Sequence, residues 1–201
     1  ALLRALLPAL LANFGQRGNP LACLRRFDAL LARQHAGVQL LSLFERNPEL
    51  INRIASIFDA SAFLADHLAD KPSALEGLLA PEPEEGRNVV ARLKTLAGEV
   101  ADVEELLITL RPLLRGEEFR LSVALLEGRI SEDDAERERT LLADTIMTVI
   151  KQAVERDHVR RYGRVPGGGM AVIAMGKAGS REMLPGSDLD LLLVFDHPEE
   201  L

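Results

Sequence analysis

The sequence predicts a mainly α-helical protein, in which a helical bundle domain at residues 1–165 leads into the first strands of an incomplete α/β domain at residues 166–201. Apolar residues recur at helical spacing up to about residue 165. Aromatic residues make up 4% of the chain and Trp is absent, so Leu, Ala, Ile and Val must supply the core, as in packed helices. After "RVPGGG" two short apolar runs replace this spacing and predict two strands, too few for a stable sheet alone.

The amino-acid composition limits the classes of protein to which the chain can belong. A hydrophobic content of 47% with 27% charged residues is typical of a globular chain. The net charge of −7 argues against broad nucleic-acid binding, which needs a basic surface. No segment has the roughly 18 uncharged apolar residues that cross a bilayer, which predicts no membrane association. The single Cys23 excludes an intrachain disulfide framework, fits the cytoplasm and is expected to be a small buried residue.

The first helices follow from spacing and from proline. "ALLRALLPALLANF" is interrupted by Arg4 and Pro8, so we interpret it as the first helix of a fragment of a longer protein and not as a signal peptide. Asn47 and Pro48 predict a helix start, and Pro72 predicts a break between two short helices. One apolar stripe is expected to follow Pro20 and to face the core. It consists of Leu21, Leu24, Phe27, Leu30 and Leu31 and is continued by Val38, Leu41 and Phe44.

The second half of the helical region begins after a break in composition. "PEPEEGRN", residues 81–88, predicts a solvated linker. Two separate helices are then expected in "DVEELLITLRPLLRG" and "EEFRLSVALLEGRI". Ser131 predicts the cap of a long helix that ends with Arg160 and Arg161, just before Gly163.

The two predicted strands enclose the residues that could carry chemistry. We expect Gly176, Gly179 and Ser180 to form a loop after the strand "MAVIAM", where backbone N–H groups can approach phosphates and Lys177 adds a positive charge.

Both predicted strands, "MAVIAM" and "LDLLLVF", are expected to be buried on at least one face. Because residues two apart in a strand share a face, Asp188 and Asp190 are predicted to project side by side, with Leu189 and Leu191 in the core. Two such carboxylates repel each other unless a cation lies between them. Mg²⁺ prefers hard oxygen ligands and completes its coordination with substrate phosphates, so the pattern predicts a magnesium and nucleotide site.

The stretch "AVIAMGKAGSREMLPGSDLDLLLVFDH" resembles the strand, glycine-serine turn and Asp-x-Asp motif of the DNA polymerase β-type nucleotidyltransferase superfamily. Within it, the stretch is similar to the glutamine synthetase adenylyltransferase family, whose members are bifunctional adenylyltransferases and adenylyl-removing enzymes. Ala178 and Ser180 stand where that family usually has Leu and Gly, and neither change removes a ligand. The helices upstream are also similar, so the resemblance extends over the chain.

The resemblance implies a fragment that, in the complete enzyme, transfers AMP from ATP to a tyrosine of glutamine synthetase and so regulates nitrogen assimilation. Glutamine synthetase is the implied partner, and the PII signal protein is a further candidate. The family's third carboxylate has no counterpart here, since Glu199 and Glu200 lie in a predicted loop, and we expect the fragment alone to be inactive. The implied metal ligands and catalytic residues are Asp188 and Asp190, and the implied contacts to ATP are Gly179, Ser180, Lys177 and Ser187.

Three alternatives remain open at this point. The motif of the same family's AMP-removing half is nearly identical, and the uridylyltransferase of PII is a more distant rival. The chain would alternatively be a non-catalytic helical module that binds a regulatory partner.

Overall fold

The computed structural model describes residues 2–33, 37–79, 87–100 and 102–196, and within these ranges it shows ten helices and one two-stranded sheet. The prediction of a mainly α fold is thereby confirmed. The chain forms two compact units, Ala1–Pro83 with Ser122–Glu127, and Glu84–Leu121 with Gly128–Leu201. The predicted boundary near residue 166 stays a prediction. The predicted linker lies outside the described residues except for its last two positions, which begin a helix.

The first unit consists of six short helices and the last residues of a longer one. Pro48 and Pro72 each open a helix, as predicted, because proline is tolerated in the first turn. Asn47 occupies the cap position of its helix, but its side-chain amide donates to the Leu43 carbonyl of the preceding helix at 2.9 Å. The six helices are α1 (Leu2–Gly15), α2 (Pro20–Arg33), α3 (Gly37–Arg46), α4 (Pro48–Ala60), α5 (Ala62–Asp70) and α6 (Pro72–Leu79).

Four phenylalanines form the centre of this unit's core. The Phe27 ring lies between Phe14 and Phe44, with centroid distances of 5.6 and 5.8 Å, and Phe58 lies 6.4 Å from Phe14. Such tilted contacts add to the free energy gained by burial. Cys23 is fully buried as expected, and burial raises the pKa of its thiol.

The stripe predicted for α2 is partly wrong. Leu21 and Leu24 are exposed, and the buried face consists of Cys23, Phe27 and Leu30. Both sets of residues have helical spacing, so spacing alone does not choose between them. Phe27 and Leu30 belong to both sets, so tertiary packing decides that Cys23 is buried and that Leu21 and Leu24 are not. Of the residues expected to continue the stripe, Phe44 is buried and Val38 is exposed.

Asp59 fixes the turn between α1 and α2. The N–H groups of Gly18 and Asn19 donate to its two carboxylate oxygens at 3.1 and 3.0 Å. These two hydrogen bonds hold the pKa of Asp59 below its usual value. The stabilisation is therefore fully present above the unfolded-state pKa of about 4 and is lost as the pH falls through the lower pKa of the folded state.

We expect Asp59→Asn to lower the free energy of unfolding at pH 7, because an amide cannot accept from both N–H groups as a carboxylate does. The difference from the wild type should shrink as the pH falls below about 4, where the carboxylate becomes protonated. Urea unfolding at pH 7 and at acidic pH measures both effects. The control is Asp66→Asn, since Asp66 makes only an exposed 3.3 Å ion pair with Arg33. A pH-independent difference for Asp59→Asn would contradict this account.

The second unit contains one long helix where two were predicted. Val103–Leu126 is continuous through Pro112 and Gly116, although its last residues belong to the first unit. Proline inside a helix removes a hydrogen bond and costs about 3 kcal/mol. Leu110 before Pro112 and Phe119 after it are both buried, so tertiary packing on either side outweighs that cost. The elements of this unit are α7 (Arg87–Glu99), α8 (Val103–Leu126), α9 (Glu132–Tyr162), β1 (Gly169–Ala174), α10 (Gly176–Ser180) and β2 (Leu191–Asp196).

Helix α9 carries the caps that the sequence predicts. The Ser131 hydroxyl accepts from the Asp134 N–H at 3.1 Å, and the helix ends at Gly163, whose φ is 84°. Ion pairs join α9 to α8, since Arg139 bonds Glu118 at 3.0 Å. The core beside them consists of Leu93, Ala97, Leu106, Leu110, Ile146, Val149 and Ala153.

The two strands form an antiparallel hairpin, in which Gly169 pairs with Asp196 and Ala174 with Leu191. β2 begins two residues later than predicted, and all six of its residues are exposed, so its predicted burial is wrong. The reason is that a two-stranded sheet provides no second layer over β2 in the described part of the chain. β1 alternates exposed with half-buried residues, so one of its faces is partly covered. None of the described helices combines the length and the apolar character needed to cross a bilayer.

Candidate functional site

The glycine segment after β1 is one turn of helix, α10, and not the loop that was predicted. Gly179 is required there, because a Cβ at that position would lie 2.7 Å from the backbone oxygen of Ala174. Arg181 ends the turn in the left-handed region, with φ of 66°, and the Glu182 N–H then donates to the Lys177 carbonyl at 2.8 Å. The backbone of α10 is therefore packed directly against the end of β1.

Asp190 lies against the first residue of α10. The Met175 N–H donates to the Asp190 carbonyl at 2.8 Å, which ties the end of β1 to the start of β2. Gly176 has φ of 54°, and a Cβ there would lie 2.6 Å from Oδ2 of Asp190. Glycine leaves room for this carboxylate, which any other side chain at position 176 would displace. The hairpin thus brings together the glycine turn and one of the two predicted metal ligands.

Asp188 and Asp190 do not lie in a strand, contrary to the prediction. Both residues precede β2, which begins at Leu191, so the alternation of side chains along a strand does not apply to them. Leu189 and Leu191, expected in the core, are each 40% exposed. Asp188 and Asp190 are themselves exposed to solvent. Their projection from one face stays a prediction.

The other predicted nucleotide contacts take different positions. The Ser180 hydroxyl donates to Oε2 of Glu182 at 2.9 Å. Ser187 is half-buried, and its hydroxyl accepts from the Leu184 N–H at 3.0 Å, so it braces the connection that follows α10. Lys177 is exposed on α10. Lys177 and Ser180 are thus placed on the turn itself, whereas Ser187 stabilises the loop that leads to Asp188.

A cleft of about 540 Å³ lies between the first half of α9 and the end of α10. The sequence did not indicate this cleft, because residues 131–134 predicted only the start of a helix. No signal in the sequence brings these two segments together, since they are about forty positions apart in the chain and meet only at the cleft that both line. The cleft is lined by Asp133, Glu136, Arg137, Thr140, Leu141, Asp144, Ser180, Arg181 and Glu182.

The donor set at the turn matches a hard divalent cation. Carboxylate oxygens are ligands that Mg²⁺ prefers, and Mg²⁺ commonly takes one or two of them together with water and phosphate oxygens. Asp190 presents its carboxylate beside the turn, and Asp188 is two residues away. In the part of the chain that the structure describes, no cluster of three or more His, Cys, Asp or Glu side chains is placed to hold a metal ion. Two carboxylates fit the mode in which the nucleotide supplies the remaining ligands.

The chain has a helical region followed by a hairpin, and the glycine turn of the hairpin adjoins an Asp-x-Asp segment. This arrangement is consistent with the class of polymerase β-type nucleotidyltransferases. A family model described as glutamate-ammonia ligase adenylyltransferase matches residues 51–201. The chain belongs to the glutamate-ammonia ligase adenylyltransferase family.

Several curated relatives extend this similarity to the whole chain. All three relatives below are named bifunctional glutamine synthetase adenylyltransferase/adenylyl-removing enzyme. The protein of Brucella suis biovar 1 (strain 1330) is 38% identical over 98% of this chain and 20% of its own length. That of Rhizobium meliloti (strain 1021) is 36% identical over 99% of this chain and 21% of its own length. That of Mesorhizobium japonicum is 38% identical over 97% of this chain. The chain spans about a fifth of the length of these relatives.

Proposed function

We propose that this chain forms part of an enzyme that transfers AMP from ATP to a tyrosine of glutamine synthetase. The observation that supports this most directly is the position of Asp190 against Gly176, which joins a carboxylate to a glycine-serine turn. The names of the relatives support the substrate protein. We further propose that the enzyme acts in the cytoplasm, and that PII is a second protein partner.

In this proposal Asp188 and Asp190 hold Mg²⁺, which when bound neutralises phosphate charge and orients the triphosphate. The α10 turn lies where it can contact the departing phosphates, with Lys177 and Ser180 on it. The tyrosine oxygen forms a bond to the α-phosphorus, the bond from that phosphorus to the bridging oxygen breaks, and pyrophosphate leaves. The tyrosine proton passes to solvent or to a base supplied by the complete enzyme.

Removal of AMP from glutamine synthetase is the second candidate, and the names of the relatives favour it because they include both activities. The two reactions need the same paired carboxylates, so residues in the hairpin do not separate them. They are separated by the direction in which AMP moves.

The test uses the full-length polypeptide that contains these 201 residues, with glutamine synthetase, Mg²⁺ and ATP labelled at the α-phosphate. Transfer of label to a tyrosine of glutamine synthetase is the expected result. Loss of label from glutamine synthetase that was labelled beforehand would favour the AMP-removing reaction. The 201-residue chain alone is expected to transfer no label, because it is proposed to supply only two of the required carboxylates. Absence of both reactions in the full-length polypeptide would refute the proposal.

A further inference from the structure

The hydrogen bond between Ser180 and Glu182 affects what the serine can offer a phosphate. A hydroxyl has one proton to donate, and the Ser180 hydroxyl donates it to Oε2 of Glu182 at 2.9 Å. The carbonyl of Lys177 is a weaker acceptor for the same proton, at 3.4 Å. Phosphate oxygens at neutral pH are acceptors, so Ser180 can bond to one only if it donates that same proton.

We propose that Glu182 competes with ATP for the Ser180 hydroxyl, so that Glu182 is a positioning residue that lowers the affinity of the α10 turn for the triphosphate. This inference rests on the proposed function, since it takes ATP as the ligand of the turn. The bond to Glu182 must break before Ser180 can donate to phosphate.

Charge adds to this competition. A phosphate oxygen bonded to Ser180 would lie roughly 5 Å from the Glu182 carboxylate, a distance at which like charges repel. The carboxylate therefore has to turn away as well as release the hydroxyl. The Glu182 backbone is anchored by its bond to the Lys177 carbonyl, so only its side chain is free to rotate.

The cleft beside α10 offers the carboxylate an alternative place. Arg137 and Arg181 line that cleft together with Ser180 and Glu182. Arg137 is 67% exposed and contacts Asp134 at a long distance of 3.5 Å, so its guanidinium can also donate to a second carboxylate. Displacement of Glu182 toward the arginines would leave the Ser180 hydroxyl free.

The decisive variant is Glu182→Gln in the full-length polypeptide. Glutamine has the same size, carries no charge, and its amide N–H can donate to the serine oxygen, which leaves the hydroxyl proton for phosphate. We expect the Kd for a Mg²⁺ complex of an ATP analogue with a methylene bridge between the α- and β-phosphorus atoms to fall about tenfold. Calorimetry measures this affinity without any transfer of AMP.

Two comparisons isolate the hydrogen bond from the general loss of charge. Glu136→Gln removes a carboxylate from the same cleft without touching Ser180, and should change the Kd by less than about twofold. In a Ser180→Ala background, Glu182→Gln should lower the Kd by a smaller factor, because there is no hydroxyl for which Glu182 and phosphate can compete.

The outcomes distinguish this inference from the function on which it rests. An unchanged or weaker Kd for Glu182→Gln, an equal gain from Glu136→Gln, or an equal gain in the Ser180→Ala background would each overturn the competition. Loss of the folded state in Glu182→Gln would show that the pair holds the turn together, and would overturn it as well. If the wild-type polypeptide neither binds the analogue nor transfers AMP, the proposed function itself fails.

Discussion

Asp190→Asn is expected to lower the rate of AMP transfer by the full-length polypeptide about 10³-fold, which corresponds to about 4 kcal/mol of transition-state stabilisation. The substitution replaces an anionic oxygen by an amide of almost the same shape. Asp190 is exposed, so the change should leave the free energy of unfolding within about 0.5 kcal/mol of the wild type. Transfer of labelled AMP to glutamine synthetase measures the rate, and urea unfolding measures the stability.

The hairpin itself provides the control for this variant. Asp196 lies at the far end of the same two strands, where it pairs with Gly169, and is also exposed. Asp196→Asn removes the same charge from the same hairpin and should transfer AMP at close to the wild-type rate. Equal loss in both variants would indicate that the charge of the hairpin matters and that Asp190 holds no metal ion. An unchanged rate of AMP transfer by Asp190→Asn would contradict the proposed role of this carboxylate.

The sequence correctly predicted those helix ends that depend on local chemistry. Pro48 and Pro72 begin helices, Ser131 caps one and Gly163 ends it. Each of these residues acts through its own backbone or side chain within one turn, so no tertiary information is needed.

Predictions that depended on packing were less successful. Two helices were expected within residues 102–130, but α8 is continuous because buried residues on both sides of Pro112 hold it together, and β2 was expected to be buried although it is exposed. For the same reason the cleft beside α10 had no signature in the sequence. Its lining residues from α9 and α10 are about forty positions apart, and each set looks like an ordinary polar helix surface.

The candidate site falls between these two cases. Its residues could be recognised because the glycines, the serine and the acids lie within fifteen positions of one another. The strand geometry that was used to pair Asp188 with Asp190 was wrong, since both residues lie outside β2. What places Asp190 at the turn is its carbonyl bond to Met175 and the space beside Gly176.

That space makes Gly176→Ala the sharpest test of the geometry. The new Cβ would lie 2.6 Å from Oδ2 of Asp190, closer than a Cβ approaches any non-bonded heavy atom, so the carboxylate must rotate away. Displacement of a reacting or ligating group by about 1 Å can reduce a rate about 10²-fold. We therefore expect a loss of this size in AMP transfer.

The clash itself should cost little stability, because the group that must move is the end of a flexible side chain. Gly186→Ala is the matched control, since its φ of 70° is similar and its Cβ would meet nothing within 4 Å. Both variants place alanine in the left-handed region and should lower the free energy of unfolding by about 1–2 kcal/mol. If only Gly176→Ala loses activity, the defect arises from displacement of the Asp190 carboxylate and not from backbone strain. Equal activity in the two variants would mean that the position of this carboxylate beside α10 has no part in the reaction.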